Sequence, residues 1–495
     1  MSRAVEIVDT TVRDGNQSLW GATGLTTPDV LAIAPTIDRV GYHALDFTAS
    51  THMAVSVRYH HEDPWERIRL VSAAMPRTPL TFLTTGARFI SWQPAGEDVM
   101  ALAFALVLRS GVRRVQICDP MNDVAQLRLL AARAREAGAE QVVTALTYSI
   151  SPVHTDEYYA ERAAALADCP QIDRLYLKDP GGLLTPERVR ALAPLLTGAG
   201  ARPVELHSHC TTGLAPLVYL EGVEHGLRTL HTAVAPLANG TSQPAAETTL
   251  RNLRAAGFSH QLDLDALAEV SAHFRAHAEA HGLPLGAPLE YDASYYRHQL
   301  PGGMVTTMRR QLDEIRRPEL FDAALEEVDR VRAELGYPIL VTPFSQFVAT
   351  QAVMNTIAGE RYAQVPDEVV RYLLGQFGAP PAPPDGDVVE RVLSLPRAQE
   401  LDATEPLTLD GARARFGTRI SEEELLLRLT MPAEQVDAIG RGGAPASARA
   451  AAPPSAPLVH LLRELDRRPA ITYLRVERGD DLVVWRRDPG GGDAR

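Results

Sequence analysis

Apolar residues recur through the first half of the chain as short β-type runs, separated by longer stretches of helical period. The β-type runs cover residues 5–8, 44–48, 80–84, 112–118, 142–148, 175–177, 204–206 and 229–234. Between them, segments such as 98–110, 123–137 and 156–167 have amphipathic helical spacing and open on aspartates that suit an N-cap. Eight strand-plus-helix units in order predict an α/β fold, a (β/α)₈ TIM barrel. A doubly wound open sheet is the alternative, but no Gly-x-Gly-x-x-Gly opens a helix after the first run.

The pattern changes after the eighth run. Residues 263–281 read as a helix with His273, His277 and His281 four apart on one face. A solvated helical face explains that spacing more simply than a metal site. Residues 301–441 read as mostly helical, and Thr342-Pro343 opens one of these helices, with Thr342 as cap and Pro343 in the first turn. Residues 442–457, rich in Ala, Pro, Ser and Gly, read as a linker. The tail, 458–495, reads as a helix over 458–465 and a small hairpin whose turn is Gly479-Asp480-Asp481. The division is therefore a barrel over 1–300, a helical part over 301–441, a linker over 442–457 and a helix-hairpin tail over 458–495.

Composition narrows the function. The 495 residues are 45% hydrophobic and 22% charged, which is ordinary for a globular chain with more than one core. The net charge of −13 and the lack of any basic run argue against nucleic acid or an anionic membrane as partner. Cys118, Cys169 and Cys210 form no disulfide framework or Cys-rich zinc pattern, which fits a reducing cytoplasm. No apolar leader and no stretch long enough to span a membrane is present.

In a barrel, catalytic groups sit at the C-terminal ends of the strands. Asp14, Asp119, Lys178, His207, His209 and His231 all fall near predicted strand ends. In Glu205-Leu206-His207-Ser208-His209-Cys210 the two histidines are two apart, so a strand presents both imidazoles on one face as a short metal clamp. The same pattern fits two strand-end histidines on a wet edge. A strand-end Asp or Lys more often caps a helix or pairs on the rim, Lys178 with Asp179 for instance.

Several motifs, in order, resemble the biotin-dependent carboxyltransferase family: the carboxyltransferase domain of pyruvate carboxylase, the oxaloacetate decarboxylase α subunit and the keto-acid subunit of transcarboxylase. The matching segments run over about residues 4–395. They are Asp9-Thr10-Thr11-Val12-Arg13-Asp14 with Gln17-Ser18-Leu19, Glu62-Asp63-Pro64-Trp65-Glu66-Arg67, Asp119 with Asn122-Asp123, and Ser151-Pro152-Val153-His154-Thr155. Further on come Lys178-Asp179-Pro180-Gly181-Gly182-Leu183-Leu184, the His207/His209 pair, Thr241-Ser242-Gln243-Pro244, Pro301-Gly302-Gly303-Met304 and Thr342-Pro343-Phe344-Ser345-Gln346. The resemblance implies a divalent metal (Zn, Mn or Co) held by Asp14, His207, His209 and a carbamylated Lys178, which stabilises the enolate of a small keto acid-like substrate. It implies that Thr342 relays a proton between substrate and the biotin ureido group, that Arg13 and Gln17 hold the substrate, and that Thr85 and Ser345 line its site.

Four positions depart from the family pattern. Thr85 replaces an arginine that grips substrate in Leu-Leu-Arg-Gly. Ala49-Ser50-Thr51-His52 replaces Gly-Gly-Ala-Thr, Cys210 an aspartate after the His pair, and His231 the aspartate of Val-Asp-Thr-Ala. Losing a carboxylate-binding arginine puts pyruvate specificity in question. No Ala-Met-Lys-Met occurs, so biotin is expected on a separate carrier protein. The tail resembles the small N-terminal segment of the acetyl-CoA carboxylase carrier, and a docking or dimerisation appendage is the plain alternative. The expectation is thus a cytoplasmic, metal-dependent carboxyltransferase subunit, a homodimer working with a biotinyl carrier and a biotin carboxylase subunit. A biotin-independent 2-oxo acid decarboxylase or aldol-type lyase on the same barrel is the enzymatic alternative, and a degenerate assembly subunit the non-catalytic one.

Overall fold

The computed structural model describes residues 3–91, 93–198, 202–403, 406–417, 419–440, 473–478 and 481–486. Eight parallel strands close a barrel in sequence order: β1 (Glu6–Asp9), β2 (Ala44–Ala49), β3 (Leu80–Thr85), β4 (Arg114–Cys118), β5 (Gln141–Thr147), β6 (Arg174–Asp179), β7 (Val204–Ser208) and β8 (Thr229–Thr232). β1 pairs with both β2 and β8, which removes every strand edge. The outer faces of the strands and the inner faces of the surrounding helices form one large apolar core.

The inside of the barrel is mixed. Ala49, Leu83, Cys118, Val143, Ala145 and Tyr176 make a small apolar cluster there. Arg114 of β4 reaches across to both carboxylate oxygens of Glu205 on β7, and Glu205 also bonds Nε2 of His231 at 2.8 Å. All three are buried. His231 therefore does not stand on the open rim, as its place near a strand end suggests. Its ring is drawn down to Glu205 and stacks on Tyr176, with centroids 4.7 Å apart.

Two of the three helices read as Asp-capped start differently. Asp123 does cap Val124–Glu136, accepting from Ala125 and Gln126 N–H. The helix Asp156–Ala167 is capped by Thr155, whose hydroxyl accepts from Tyr158, and Asp156 falls inside its first turn. The helix Glu97–Arg109 starts at Gly96, while Asp98 accepts from Leu409 N–H across the fold. The histidine-bearing helix, Leu264–His281, is partly packed: His277 bonds the Gly24 carbonyl at 2.8 Å and lies against Trp20. Among the described residues its histidines belong to no metal-type group.

The chain after the barrel does two things. Helices from Gly302 to Leu373 build a second core that includes Met121 from the loop after β4, and the helices Gly386–Leu393 and Pro396–Asp402 add a smaller cluster beside it. This core closes over one side of the barrel mouth. Arg332 donates to Ser149 Oγ and the Ile150 carbonyl, Gln299 brackets Ile150, and Arg88 donates to the Gln376 carbonyl. From Leu407 the chain returns to the barrel wall, where Leu426, Leu427, Met431 and Val436 join the barrel core. Arg69–Glu423 and Arg109–Glu422 flank that contact. The tail hairpin is present as strands Tyr473–Arg478 and Asp481–Arg486, antiparallel, so Asp481 belongs to the second strand rather than to the turn. The expected linker and the expected helix at 458–465 lie outside the described residues.

Candidate metal centre and active site

β1 runs straight into a single π-helical turn, Thr11–Gly15, closed by Gly15 N–H donating to the Thr10 carbonyl at 2.9 Å. Such turns are rare and concentrate at functional sites. This one places Arg13 and Asp14 over the C-terminal mouth of the barrel, both buried. Asp14 Oδ2 lies 3.3 Å from His207 Nε2 and 3.6 Å from His209 Nε2. Among the described residues this trio is the only group of such side chains gathered closely enough to hold a metal ion.

The neighbours hold these three in states that suit metal ligands. Burial works against ionising Asp14, yet the Arg13 guanidinium beside it holds its carboxyl well below the usual range. Burial holds the His207 imidazole far below its usual value, so it is neutral, as a metal ligand must be. His209 donates Nδ1–H to the Thr241 carbonyl at 2.6 Å, which leaves the Nε2 lone pair facing Asp14. Thr10 donates to Gln243 Oε1 at 2.7 Å, turning the Gln243 amide nitrogen toward both Nε2 atoms, at 3.3 and 3.1 Å. Two imidazole lone pairs and a carboxylate oxygen thus converge on one point, a donor set that suits Zn, Mn or Co.

Lys178 on β6 is paired in register with His207 on β7. It is buried, and its Nζ lies 3.9 Å from Cys118 Sγ. It makes no ion pair with Asp179. That carboxylate is taken by Leu183 N–H, Leu184 N–H and Ser208 Oγ–H, at 2.7–2.8 Å. Gly182 lets this loop approach the next one: at φ +65° a side chain there would meet the His209 carbonyl at 2.5 Å. One sequence signal for Lys178 needs no motif. It is the only lysine in the chain, one among 49 Lys and Arg residues.

The other expected residues are less close-knit. The Arg13 Nε lies 2.9 Å from both oxygens of Asp46 on β2, and Arg13 Nη2 lies 3.4 Å from Asp14, so its guanidinium is largely committed. Gln17 is half-buried on the helix Asn16–Trp20, and Thr85 closes β3 half-buried. Ser345 is buried with its hydroxyl unpartnered. Thr342 is not a helix cap. The helix Phe344–Ala358 is capped by Pro343, and its first amides are met by backbone: Ser345 N–H by the Val341 carbonyl, Phe347 N–H by that of Pro343. The Thr342 hydroxyl is therefore not needed by the helix. Thr342–Pro343 is a cis peptide.

Asp119 is buried beyond β4, and burial raises its carboxyl to about 6. Cys210 is buried, with its thiol pushed far up by burial. His52 is buried as well, lowered to about 3 by burial and by Arg13 and Arg67. Asp46, Thr241 and Gln243 orient the trio; Asp46 was not singled out from sequence, and Thr241 and Gln243 stood in a matched motif without an assigned role. Gln243 sits in a matched motif, but only the folded chain brings it against the histidines.

The known relatives agree with this fold. The HMGL-like family matches residues 4–273 and the conserved carboxylase domain residues 295–444. A pyruvate carboxylase subunit of Methanocaldococcus jannaschii is 38% identical over 391 residues, covering 79% of this chain and 68% of that one. The 2-oxoglutarate carboxylase large subunit of Hydrogenobacter thermophilus is 31% identical, covering 88% of this chain and 68% of that one. The methylmalonyl-CoA carboxyltransferase 5S subunit of Propionibacterium freudenreichii is 31% identical, covering 82% and 79%. The fold is that of the carboxyl transferase domain of Rhizobium etli pyruvate carboxylase, with a TM-score of 0.82 at 23% identity over 92% of this chain and 80% of that one. These relatives, on a closed eight-stranded barrel, define the class as a carboxyl-transfer enzyme. The chain belongs to the biotin-dependent carboxyltransferase family.

Proposed function

We propose that this chain moves a carboxyl group between carboxybiotin, carried on a separate biotinyl protein, and a small keto acid-like acceptor. The observation that carries this reading is the convergence of Asp14, His207 and His209 beside the chain's only lysine. Asp14, His207, His209 and a carbamylated Lys178 hold a divalent ion, Zn, Mn or Co. When bound, that ion supplies a Lewis acid to the acceptor's carbonyl oxygen. Arg13 keeps Asp14 anionic and braces it against Asp46. Thr241 and Gln243 hold the imidazoles in the ligating tautomer and orientation. Arg13, Gln17, Thr85 and Ser345 border the acceptor. Thr342, released from any capping duty, relays the proton between acceptor and the ureido nitrogen of biotin.

The partners in this reading are a biotinyl carrier, a biotin carboxylase subunit and a second copy of the chain, in the cytoplasm. No helix among the described residues is long and apolar enough to cross a membrane. The division at residues 300, 441 and 457 is part of the same proposal, and the family boundaries at 273, 295 and 444 support its first two points. The test is turnover across a panel of keto acids, with and without a carboxylated biotinyl carrier. Carrier-dependent turnover is expected. Equal rates in both conditions would replace this reading with the biotin-independent lyase.

A further inference from the structure

The two imidazoles of the trio are held in different ways. His209 is fixed by a hydrogen bond, with Nδ1–H on the Thr241 carbonyl at 2.6 Å. A ligating histidine ordinarily fixes its ring through such a bond, made by the nitrogen that the metal does not use. His207 has none: its Nδ1 is buried without a hydrogen-bond partner among the described residues. Its Nε2 faces Asp14 and the Gln243 amide nitrogen, each at 3.3 Å. Those contacts lie on the ligating edge and leave the rest of the ring to be held by packing.

Two rings supply that packing. Tyr176 meets the His207 ring at 81° with centroids 5.5 Å apart, and His231 meets it at 77° and 5.4 Å. Tyr176 and His231 are themselves stacked at 4.7 Å and 23°. The His207 ring therefore stands nearly perpendicular to a stacked pair, an arrangement that aromatic rings favour. All three side chains are fully buried.

The stacked pair is anchored from below. Tyr176 pairs in register with Glu205, two residues beneath the pairing of Lys178 with His207. Glu205 shares a strand face with His207. It accepts from His231 Nε2 at 2.8 Å, bonds Arg114 through both oxygens, and lies 3.8 Å from Arg174. A carboxylate only accepts, so the proton sits on His231 Nε2 and the ring is drawn to the ion pair. Contact thus runs without a break from Arg114 through Glu205 and His231 to His207. Close-packed groups of this kind transmit a displacement.

We propose that His231 is a positioning residue for the metal centre. Held by Glu205 and Arg114, and stacked on Tyr176, its ring keeps the His207 imidazole at the angle at which Nε2 addresses the ion. The inference rests on the carboxyltransferase reading, which puts an ion at Asp14, His207 and His209.

The probe is Co(II), whose visible absorption reports the geometry of its ligands. The metal-free full-length chain is titrated with it in competition with a chromophoric chelator. His231→Leu leaves the Arg114–Glu205 pair in place. It should weaken Co(II) binding by ~10–100-fold, the usual effect of removing a group that orients a ligand, and shift the visible bands. His231→Phe keeps a flat ring beside Tyr176 and His207, and should recover most of the lost affinity and the wild-type bands. Circular dichroism and thermal melting check that both variants are folded.

A folded His231→Leu with wild-type affinity and bands overturns the inference, even if it melts lower, because a purely structural role predicts that result. A His231→Phe no better than His231→Leu overturns it as well. A wild-type chain that takes up no Co(II), or a His207→Ala that retains it in full, sinks the metal reading itself. Wild-type uptake that depends on His207 but not on His231 sinks this inference alone.

Discussion

Lys178 stands directly across from His207 on adjoining strands, buried and without a carboxylate partner among the described residues. An amine held that way has no counter-ion among the described residues, and uptake of CO₂ would turn it into an anionic oxygen donor. Arginine cannot do this, because its guanidinium stays protonated. With one lysine in the chain, protein equilibrated in ¹³C-bicarbonate should show one lysine carbamate resonance. Lys178→Arg should abolish it and, with it, carboxyl transfer. A free amine at full metal occupancy would sink the assignment.

Removing one imidazole should empty the site without unfolding the barrel. Purified protein is expected to hold about one transition-metal ion per chain, and His207→Ala to lose most of it, as measured by elemental analysis. Circular dichroism should be near wild type, because the ligands crown the barrel and do not belong to its apolar core. Undiminished metal in the variant would show that the trio is not the site.

Because backbone carbonyls satisfy the first turn of Phe344–Ala358, Thr342→Ala should change melting temperature little. The ~1 kcal/mol that a lost cap usually costs should not appear. Carboxyl transfer should nonetheless fall by the ~10²–10⁴-fold typical of a lost proton-transfer group, with metal content intact. A variant of normal activity would remove Thr342 from the relay.

Asp9 at the end of β1 has a different consequence. Burial raises its carboxyl to about 7 despite hydrogen bonds from Thr11. In the unfolded chain it ionises near 3.8. A raised folded value means that the favourable contribution is complete below about pH 4 and is lost as pH rises toward about 7. Asp9→Asn should flatten that part of the stability–pH profile, by up to ~4 kcal/mol, in urea melts across this range. An unchanged slope between pH 4 and 7 would contradict the burial argument.

The barrel was legible because each of its strands carries its own local signal. β1 to β8 match the apolar runs to within a few residues, and the long helices follow from amphipathic spacing. The candidate metal trio was legible in part. His207 and His209 share a strand face by period alone, but Asp14 lies almost two hundred residues away; the barrel reading put it at the same mouth, and only the family resemblance made it their co-ligand. The single lysine was a signal open to counting. His231 shows where strand position misleads. It sits near a strand end, yet Glu205 and Tyr176 claim its ring inside the barrel. Thr342 shows the same limit for caps, since a hydroxyl before a helix caps only if the first-turn amides are left for it.

The amino-acid sequence by itself determined the number and order of the β/α units, the strand that carries the two imidazoles and the family to which the motifs belong. These properties depend on side-chain period and on short contiguous segments, which are local. The tertiary structure decided which polar groups meet. It set Asp14 on a π turn above the histidines, committed Arg13 to Asp46 and drew His231 down to Glu205. Those outcomes depend on closure of the barrel, which brings residues far apart in the chain within hydrogen-bond reach and lets them compete for the same partners. No local pattern encodes the result of that competition.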